Sequence, residues 1–423
     1  MVRWQWTVLR SHPEFFKLWG GQMISSFGSA ITGLALPLTA VVVLRATPLQ
    51  MGLLGTVGFL PQLLFSLPAG VWVDRLPRRP ILIGSDLGRA VLLGSIPVLA
   101  LLGLLRMEEL YVVAFLTGVC AMCFDVAALA LVPALVERER LVDANSSSAL
   151  SDSVAMTAGP ALAGGIIQLL TAPVAIAIDA LSFLLSAAFT IVIRVREPAP
   201  VAKRRRGRLW TDIGEGLRLL VAHNALRAMV VSATLGSFAG WVQSTVLVLY
   251  LVRELGLTPA LIGIVFATNG VASIGGSLLA GPASARWGPG PTFLAGTFVS
   301  ALSALLLPLA GGPLVLAVPL LIVAQGLRSI GTPLYGVNQR ALRQTLAPSR
   351  LLGRLNASWR FLVYGVVPIG SLLGGLLGQT VGLRATLLIG GLAMLPGSLW
   401  VMFSPVRTLR QMPTPADNAA VAS

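Results

Sequence analysis

The chain is poor in charge. Only 11% of its 423 residues are Asp, Glu, Lys or Arg, while 55% are apolar. A soluble chain carries about 25% charged and 45–50% apolar residues, so a water-soluble enzyme of two or three ordinary domains is excluded. Histidine and cysteine are almost missing, with two of each. His12 and His223 cannot build a metal cluster, and Cys120 and Cys123 cannot make a disulfide framework. The Cys120-x-x-Cys123 pair falls in an apolar run away from any strand and reads as small core residues. No GxxxxGKS phosphate loop occurs, so the chain carries no ATPase of its own. Period-2 alternation over ten-residue runs is also absent, which excludes an outer-membrane barrel. The first fifteen residues hold Arg3, Arg10 and Glu14 but no short apolar region with a cleavage site, so no removable signal peptide is expected.

What the chain does have is long apolar runs. A helix needs about 20 mostly apolar residues to cross the hydrocarbon core. Twelve segments qualify, at roughly 17–43, 50–73, 81–104, 109–134, 149–170, 173–194, 228–251, 259–284, 289–311, 313–337, 357–378 and 382–404. The expected fold is an all-α integral membrane protein of two six-helix bundles, 1–194 and 228–404. A linker at 195–227 joins them, and a tail runs over 405–423.

Charge sets the orientation. Net charge is +15, but the Lys and Arg residues lie between apolar runs rather than on one domain, so nucleic acid is not an expected partner. With both termini in the cytoplasm, 25 of the 31 fall in cytoplasmic segments. Four, Arg45, Arg106, Arg253 and Arg384, fall on the opposite side, and Arg89 and Arg328 lie inside spans. That asymmetry is a strong positive-inside signal. The expected location is the inner (plasma) membrane. The basic run Lys203-Arg-Arg-Arg206 with Arg208 reads as part of a solvated cytoplasmic linker, with an anionic-lipid patch as the alternative.

The two halves repeat at an offset of 211 residues. Ser26-Phe27 falls on Ser237-Phe238, and Thr47-Pro48-x-x-x-Gly52 on Thr258-Pro259-x-x-x-Gly263. Gly70 and Arg75 fall on Gly281 and Arg286, Asn145 on Asn356, and Gly164 on Gly375. Six spans per half give both copies the same membrane orientation, as in parallel-repeat transporters. The twelve spans, the basic mid-chain loop and the stretch Gly70-Val-Trp-Val-Asp74-Arg75-Leu-Pro-Arg78-Arg79 together resemble the major facilitator superfamily and its GxxxDRxGRR signature. Three further stretches resemble its drug, macrolide and siderophore exporters. They are Phe16-Lys-Leu-Trp-Gly-Gly-Gln22-Met-Ile-Ser25-Ser26-Phe-Gly28, Leu135-Val-Glu-Arg-Glu-Arg140-Leu-Val-Asp-Ala-Asn145 and Asp179-Ala-Leu-Ser-Phe183.

The resemblance implies that Gly70, Asp74, Arg75, Arg78 and Arg79 form a cytoplasmic latch holding the halves together when the outer gate is open. Asp86 and Arg89, spaced i, i+3 beside it, are placed to pair on one helix face. Pro77 stands where the family pattern has glycine, so this turn does without a left-handed residue. In span 5, Gly159-Pro160-x-x-x-Gly164-Gly165 resembles the glycine-rich motif of drug antiporters, whose helix packs closely on span 8; ordinary small-residue packing is the other reading.

An ionisable residue inside a span is costly and is a functional candidate by default. Five qualify: Asp86, Arg89, Asp125, Asp179 and Arg328. The resemblance implies that spans 1, 4, 7 and 10 line a central cavity. Candidate substrate contacts on those spans are Gln22, Ser25, Ser26, Asp125, Trp241, Gln243, Gln325 and Arg328. With no histidine in any span, a carboxylate is the expected proton carrier, Asp125 first and Asp179 second.

The expected function is proton-coupled efflux of an amphipathic organic molecule by alternating access, of the multidrug antiporter kind. Its partners are then the small-molecule substrate, protons and the bilayer, acting on a monomer with no cofactor and no metal. Uptake, or transport of a lipid or metabolite, is the alternative within the same fold. A membrane-embedded enzyme ranks lower, because no His/Asp cluster, Ser-Lys pair or paired carboxylate stands at one depth. A non-transporting receptor would need a signalling domain that the chain does not show.

Overall fold

The computed structural model describes residues 8–9, 11–73, 76–195, 209–348 and 351–412. Among these residues the ordered secondary structure is entirely helical, as a spanning chain requires, since lipid offers no partner to a free backbone N–H or C=O. The α-helices are α1 Pro13–Leu38, α2 Pro48–Val73, α3 Arg78–Leu101, α4 Met107–Leu135, α5 Leu141–Leu169, α6 Ala172–Ile191, α7 Leu209–Ala222 and α8 Asn224–Leu249. They continue with α9 Pro259–Trp287, α10 Pro289–Leu306, α11 Leu314–Leu346, α12 Leu352–Gly365, α13 Val367–Thr380 and α14 Leu383–Met402.

Among the described residues, eleven helical stretches are long and apolar enough to cross a membrane, with α12 and α13 counted as one stretch of 29 residues. The remaining expected span is α5. It has the length, 29 residues, but carries Ser146, Ser147, Ser148, Ser151 and Ser153 alongside Asp143 and Asp152, which depress its hydropathy. One helix lies outside the expected spans. α7 falls within the stretch read as a hydrophilic linker, packs on α12, and sends Leu220 into the core beneath α8. An ion pair from Arg354 to Glu215 ties it down at its surface.

Two compact units emerge. Unit 1 comprises residues 1–46, 57–204 and 258–267, and unit 2 comprises 47–56, 205–257 and 268–423. In unit 1, α1 packs on α5 and α6, while α3 packs on α4 and α6. In unit 2, α8 packs on α13 and α14, while α10 packs on α11 and α14. Shifted by 211 residues, these are the same four helix pairs. The repeat read in the sequence is thus a repeat of packing.

It also holds at single hydrogen bonds. α1 runs on into one wide turn, Thr39–Val43, and α8 into its counterpart, Tyr250–Glu254. Next, Ala46 N donates to Ala40 O at 2.9 Å, and Leu257 N to Leu251 O at the same distance. The hydroxyls of Thr47 and Thr258 then cap the following helices, accepting from Gln50 N at 3.3 Å and Leu261 N at 3.4 Å. Pro48 and Pro259 open those helices, at a position where no N–H is needed. Between wide turn and cap the chain takes a left-handed residue in both copies: Gly256 at φ 63° and Arg45 at φ 51°. Glycine adopts that region freely, whereas Arg45 pays for its Cβ. The turn before α10 is left-handed too, at Gly288 with φ 94°, while its counterpart Pro77 sits at φ −57°.

Candidate functional site

The polar side chains of unit 1 converge from five helices. On α3, Arg89 donates to Asp86 Oδ1 at 2.6 Å, and both are buried. The guanidinium also lies over two aromatic faces, 4.6 Å from the Phe124 ring centre and 4.1 Å from that of Phe183. Three carboxylates, Asp86, Asp125 and Asp179, feel its charge. Arg89 is therefore the electrostatic centre of the unit, held by α3, α4 and α6 together.

Asp86 is 0% exposed. Removing its counter-ion strands a carboxylate out of water, and breaking a buried pair in this way costs about 3–5 kcal/mol. Arg89→Ala is expected to lower the thermal stability of the detergent-purified protein sharply. Asp86→Leu combined with Arg89→Met should recover most of the loss, because the pair is then replaced by apolar packing. An Arg89→Ala protein that melts like the parent would remove the pair from the list of structural supports.

The carboxylates differ in access. Asp179, on α6, is 1% exposed and accepts from Ser182 Oγ at 3.1 Å. Gly28 of α1 sits against both side chains, so that even a Cβ there would strike them. Asp125, on α4, is exposed although it lies in the middle of a span. Its charge interacts with that of Asp152 on α5, also exposed. Ser26 Oγ of α1 donates to Asp152 Oδ1 at 2.8 Å. Nearby on α1, Ser25 is buried and bonds the Gln22 carbonyl at 3.1 Å, and Gln22 is half-buried. The structure thus joins Ser26 to Asp152 and sets Asp125 within the field of the Asp152 charge. Asp152 is absent from the sequence-derived candidates.

In unit 2 the candidates separate. Gln243 is 0% exposed, and its Nε2 donates to Ala304 O at 3.1 Å and Leu387 O at 2.6 Å. It ties α8 to α10 and α14, and the amide nitrogen is committed to that packing. Gln325 is buried, Trp241 is half-buried, and Arg328 is half-buried on α11.

Of the loop residues, Asp74 and Arg75 lie outside the described residues, and Gly70 lies in the last turns of α2. Arg79 Nε donates to Thr190 O at 3.2 Å, and its Nη2 bonds Ile191 O. Arg79 therefore caps the last carbonyls of α6, where a cation also complements the helix dipole. Arg78 is half-buried at the first position of α3.

The glycines of α5 divide by direction. Gly159 meets Ala30 of α1, and Gly165 has nothing within 4 Å of its missing Cβ. A Cβ on Gly164 would stand 2.8 Å from Gly263 Cα and 2.6 Å from Pro259 O, both backbone atoms of α9. A Cβ on Gly263 would stand 2.5 Å from Pro160 O and 2.8 Å from Gly164 Cα. Unit 2 contains the repeat of this crossing: a Cβ on Gly375 of α13 would lie 2.8 Å from Gly52 Cα. The four glycines that match at an offset of 211 thus meet in two backbone-to-backbone crossings.

Known proteins agree with this architecture. The chain is similar to macrolide efflux protein A of Streptococcus pyogenes, 24% identical over 381 residues that cover 89% of this chain and 92% of that protein. It is similar to the enterobactin exporter EntS of Salmonella typhi, 26% identical with 97% of each chain covered. Its fold matches a bacterial homologue of the iron transporter ferroportin in the inward-facing state, with TM-score 0.71 at 17% identity, covering 92% of this chain and 98% of the other. The nucleoside transporter NupG matches with TM-score 0.71 at 13% identity, covering 92% and 98%. The profile of the transmembrane secretion effector family matches residues 5–420. Its match takes in both six-helix repeats, and the chain accordingly belongs to that family of major facilitator transporters and is a multi-pass membrane transporter rather than an enzyme.

Proposed function

We propose that this transporter exports an amphipathic organic molecule from the cytoplasm across the plasma membrane by alternating access, in exchange for protons. The observation that carries the reading is the exposed carboxylates Asp125 and Asp152 with Ser26, acids on membrane helices that are closed in no ion pair among the described residues. Intramembrane carboxylates of that kind are the usual carriers of protons in transporters. Two exporters among the relatives support the direction, and macrolide-like and siderophore-like molecules are the substrate classes to test first. The polar contacts in this reading are Gln22, Ser26, Asp125, Asp152, Trp241 and Arg328. Gln243 drops out because its amide nitrogen is already bonded to two carbonyls, and Asp179 because it is sealed against α1.

The test is accumulation in cells lacking their own pumps, with a panel of macrolides, dyes and siderophores. Expression of the protein is expected to lower accumulation of at least one compound, and a protonophore is expected to restore it. A protein that raises accumulation instead would establish uptake.

A further inference from the structure

Between residues 228 and 404 the chain holds a single carboxylate, Glu254, and it lies at the far end of the wide turn that closes α8. Arg328 stands in the middle of α11, a helix of 33 residues that crosses the membrane. A guanidinium at that depth is expensive unless it is paired or watered. In unit 1 the equivalent cost is met by Asp86 and two aromatic rings around Arg89. Arg328 has nothing comparable. Among the described residues its guanidinium makes no hydrogen bond and no ion pair, and the ionisable group that bears on it is the phenol of Tyr335, two turns further along α11.

The fork is mounted against a bare stretch of backbone. Gly240 of α8 faces the guanidinium, and a Cβ there would stand 3.1 Å from Arg328 Nη2. Any larger side chain at 240 would take the space beside the fork. Arg328 as a whole is half-buried. Beyond it on the same helix, Ser329 Oγ donates to Asn269 Oδ1 of α9 at 3.0 Å, which fixes α11 against α9 on another side. The result is a rigidly mounted planar fork with no acid of its own. Such a fork is matched by a carboxylate or a comparable oxyanion, bound through two parallel N–H···O bonds.

We propose that Arg328 is the anion-recognition group of the transport site and takes a carboxylate or phenolate carried by the exported molecule. The proposal deepens the export reading by naming one charged group of the substrate, and it rests on that reading only for what the anion belongs to. It makes the polar groups of unit 2 selective for negative charge.

The test uses purified full-length protein in lipid nanodiscs, with naphthalene-2-carboxylate and its neutral amide as matched probes. Binding is read by quenching of tryptophan fluorescence and by calorimetry. The carboxylate is expected to bind at least about tenfold tighter than the amide, since a charge-assisted bidentate contact is available to one and not to the other. Arg328→Gln should abolish the preference, and Arg328→Lys should keep only part of it, since charge remains while the fork is lost. Gly240→Val should weaken carboxylate binding with Arg328 still in place, and it decides the matter if Arg328→Gln does not fold. Equal binding of acid and amide by the parent protein, or an unchanged preference in Arg328→Gln, would overturn the assignment. Either result leaves the accumulation assay, and with it the export reading, standing on its own.

Discussion

Gly164→Leu is expected to abolish export, whereas Gly165→Leu, one residue away, is expected to leave it nearly intact. The difference follows from what each missing side chain would meet. At Gly165 nothing lies within 4 Å. At Gly164 the first added carbon already stands 2.8 Å from Gly263 Cα and 2.6 Å from Pro259 O. Those are backbone atoms, so no rotamer change relieves the clash and α5 must move away from α9 as a body. In a bilayer, helices associate through such close packing, with no hydrophobic drive to replace it. Overpacking a tight site costs about 1–3 kcal/mol. When one conformational state bears that strain, an equilibrium moves by about 5–150-fold. The predicted order is therefore graded: Gly164→Ala impaired, Gly164→Leu inactive, Gly263→Leu inactive. The double Gly164→Leu/Gly263→Leu should be little worse than either single, since both act on one crossing. Transport in vesicles, normalised to protein in the membrane, measures it. Wild-type export by Gly164→Leu would show that the crossing at 164 and 263 takes no part in the transport cycle.

How much of this was legible in the sequence depends on the residue. The 211-residue repeat was legible because glycine, Thr-Pro and asparagine are punctuation with few substitutes. Each of Gly52, Gly164, Gly263 and Gly375 occupies a crossing where a Cβ would lie within 3 Å of backbone. That they meet in pairs was not legible, since spacing along one helix says nothing of its partner. The fate of Gln243 was hidden for a related reason. In a span that is apolar on every side, hydropathy does not tell which face points inward, and Gln243 turned out to bond α10 and α14. α7 was read as linker because five basic residues precede it, although Leu209, Ile213, Leu217 and Leu220 recur at helical spacing. Asp152 falls inside the expected span at 149–170 but is missing from the ionisable candidates, because the serines around it mark the polar end of that run. α5 begins at Leu141, and Asp152 stands eleven residues inside it. The signal was present: Ser151-Asp152-Ser153 lies within the run at 149–170, with no glycine or proline before Gly159 to end a helix.

That omission bears on coupling, where the second large effect is expected. A proton carrier must be reached by water and must change its surroundings during the cycle. Asp179 meets neither condition here, being 1% exposed, bonded to Ser182 and walled by Gly28. Asp86 is closed in its pair with Arg89. Asp125 and Asp152 remain, both exposed, on adjacent helices, and each within the field of the other. Ser26 fixes one oxygen of Asp152, and the charge of Arg89 reaches Asp125 from α3. Asp125→Asn and Asp152→Asn are therefore each expected to reduce proton-driven export at least about tenfold, the scale of a coupling free energy of one to three kcal/mol. Both variants should still exchange labelled for unlabelled substrate across the membrane, because exchange needs no net proton movement. Asp179→Asn should instead act through folding, lowering the amount of protein in the membrane more than the rate per molecule. The measurement is export and exchange side by side in proteoliposomes with an imposed pH gradient. If Asp125→Asn still exports and its export still collapses with a protonophore, the proton travels elsewhere. A normal exchange rate with lost export in Asp152→Asn alone would place the carrier on α5, at a residue absent from the sequence-derived candidates.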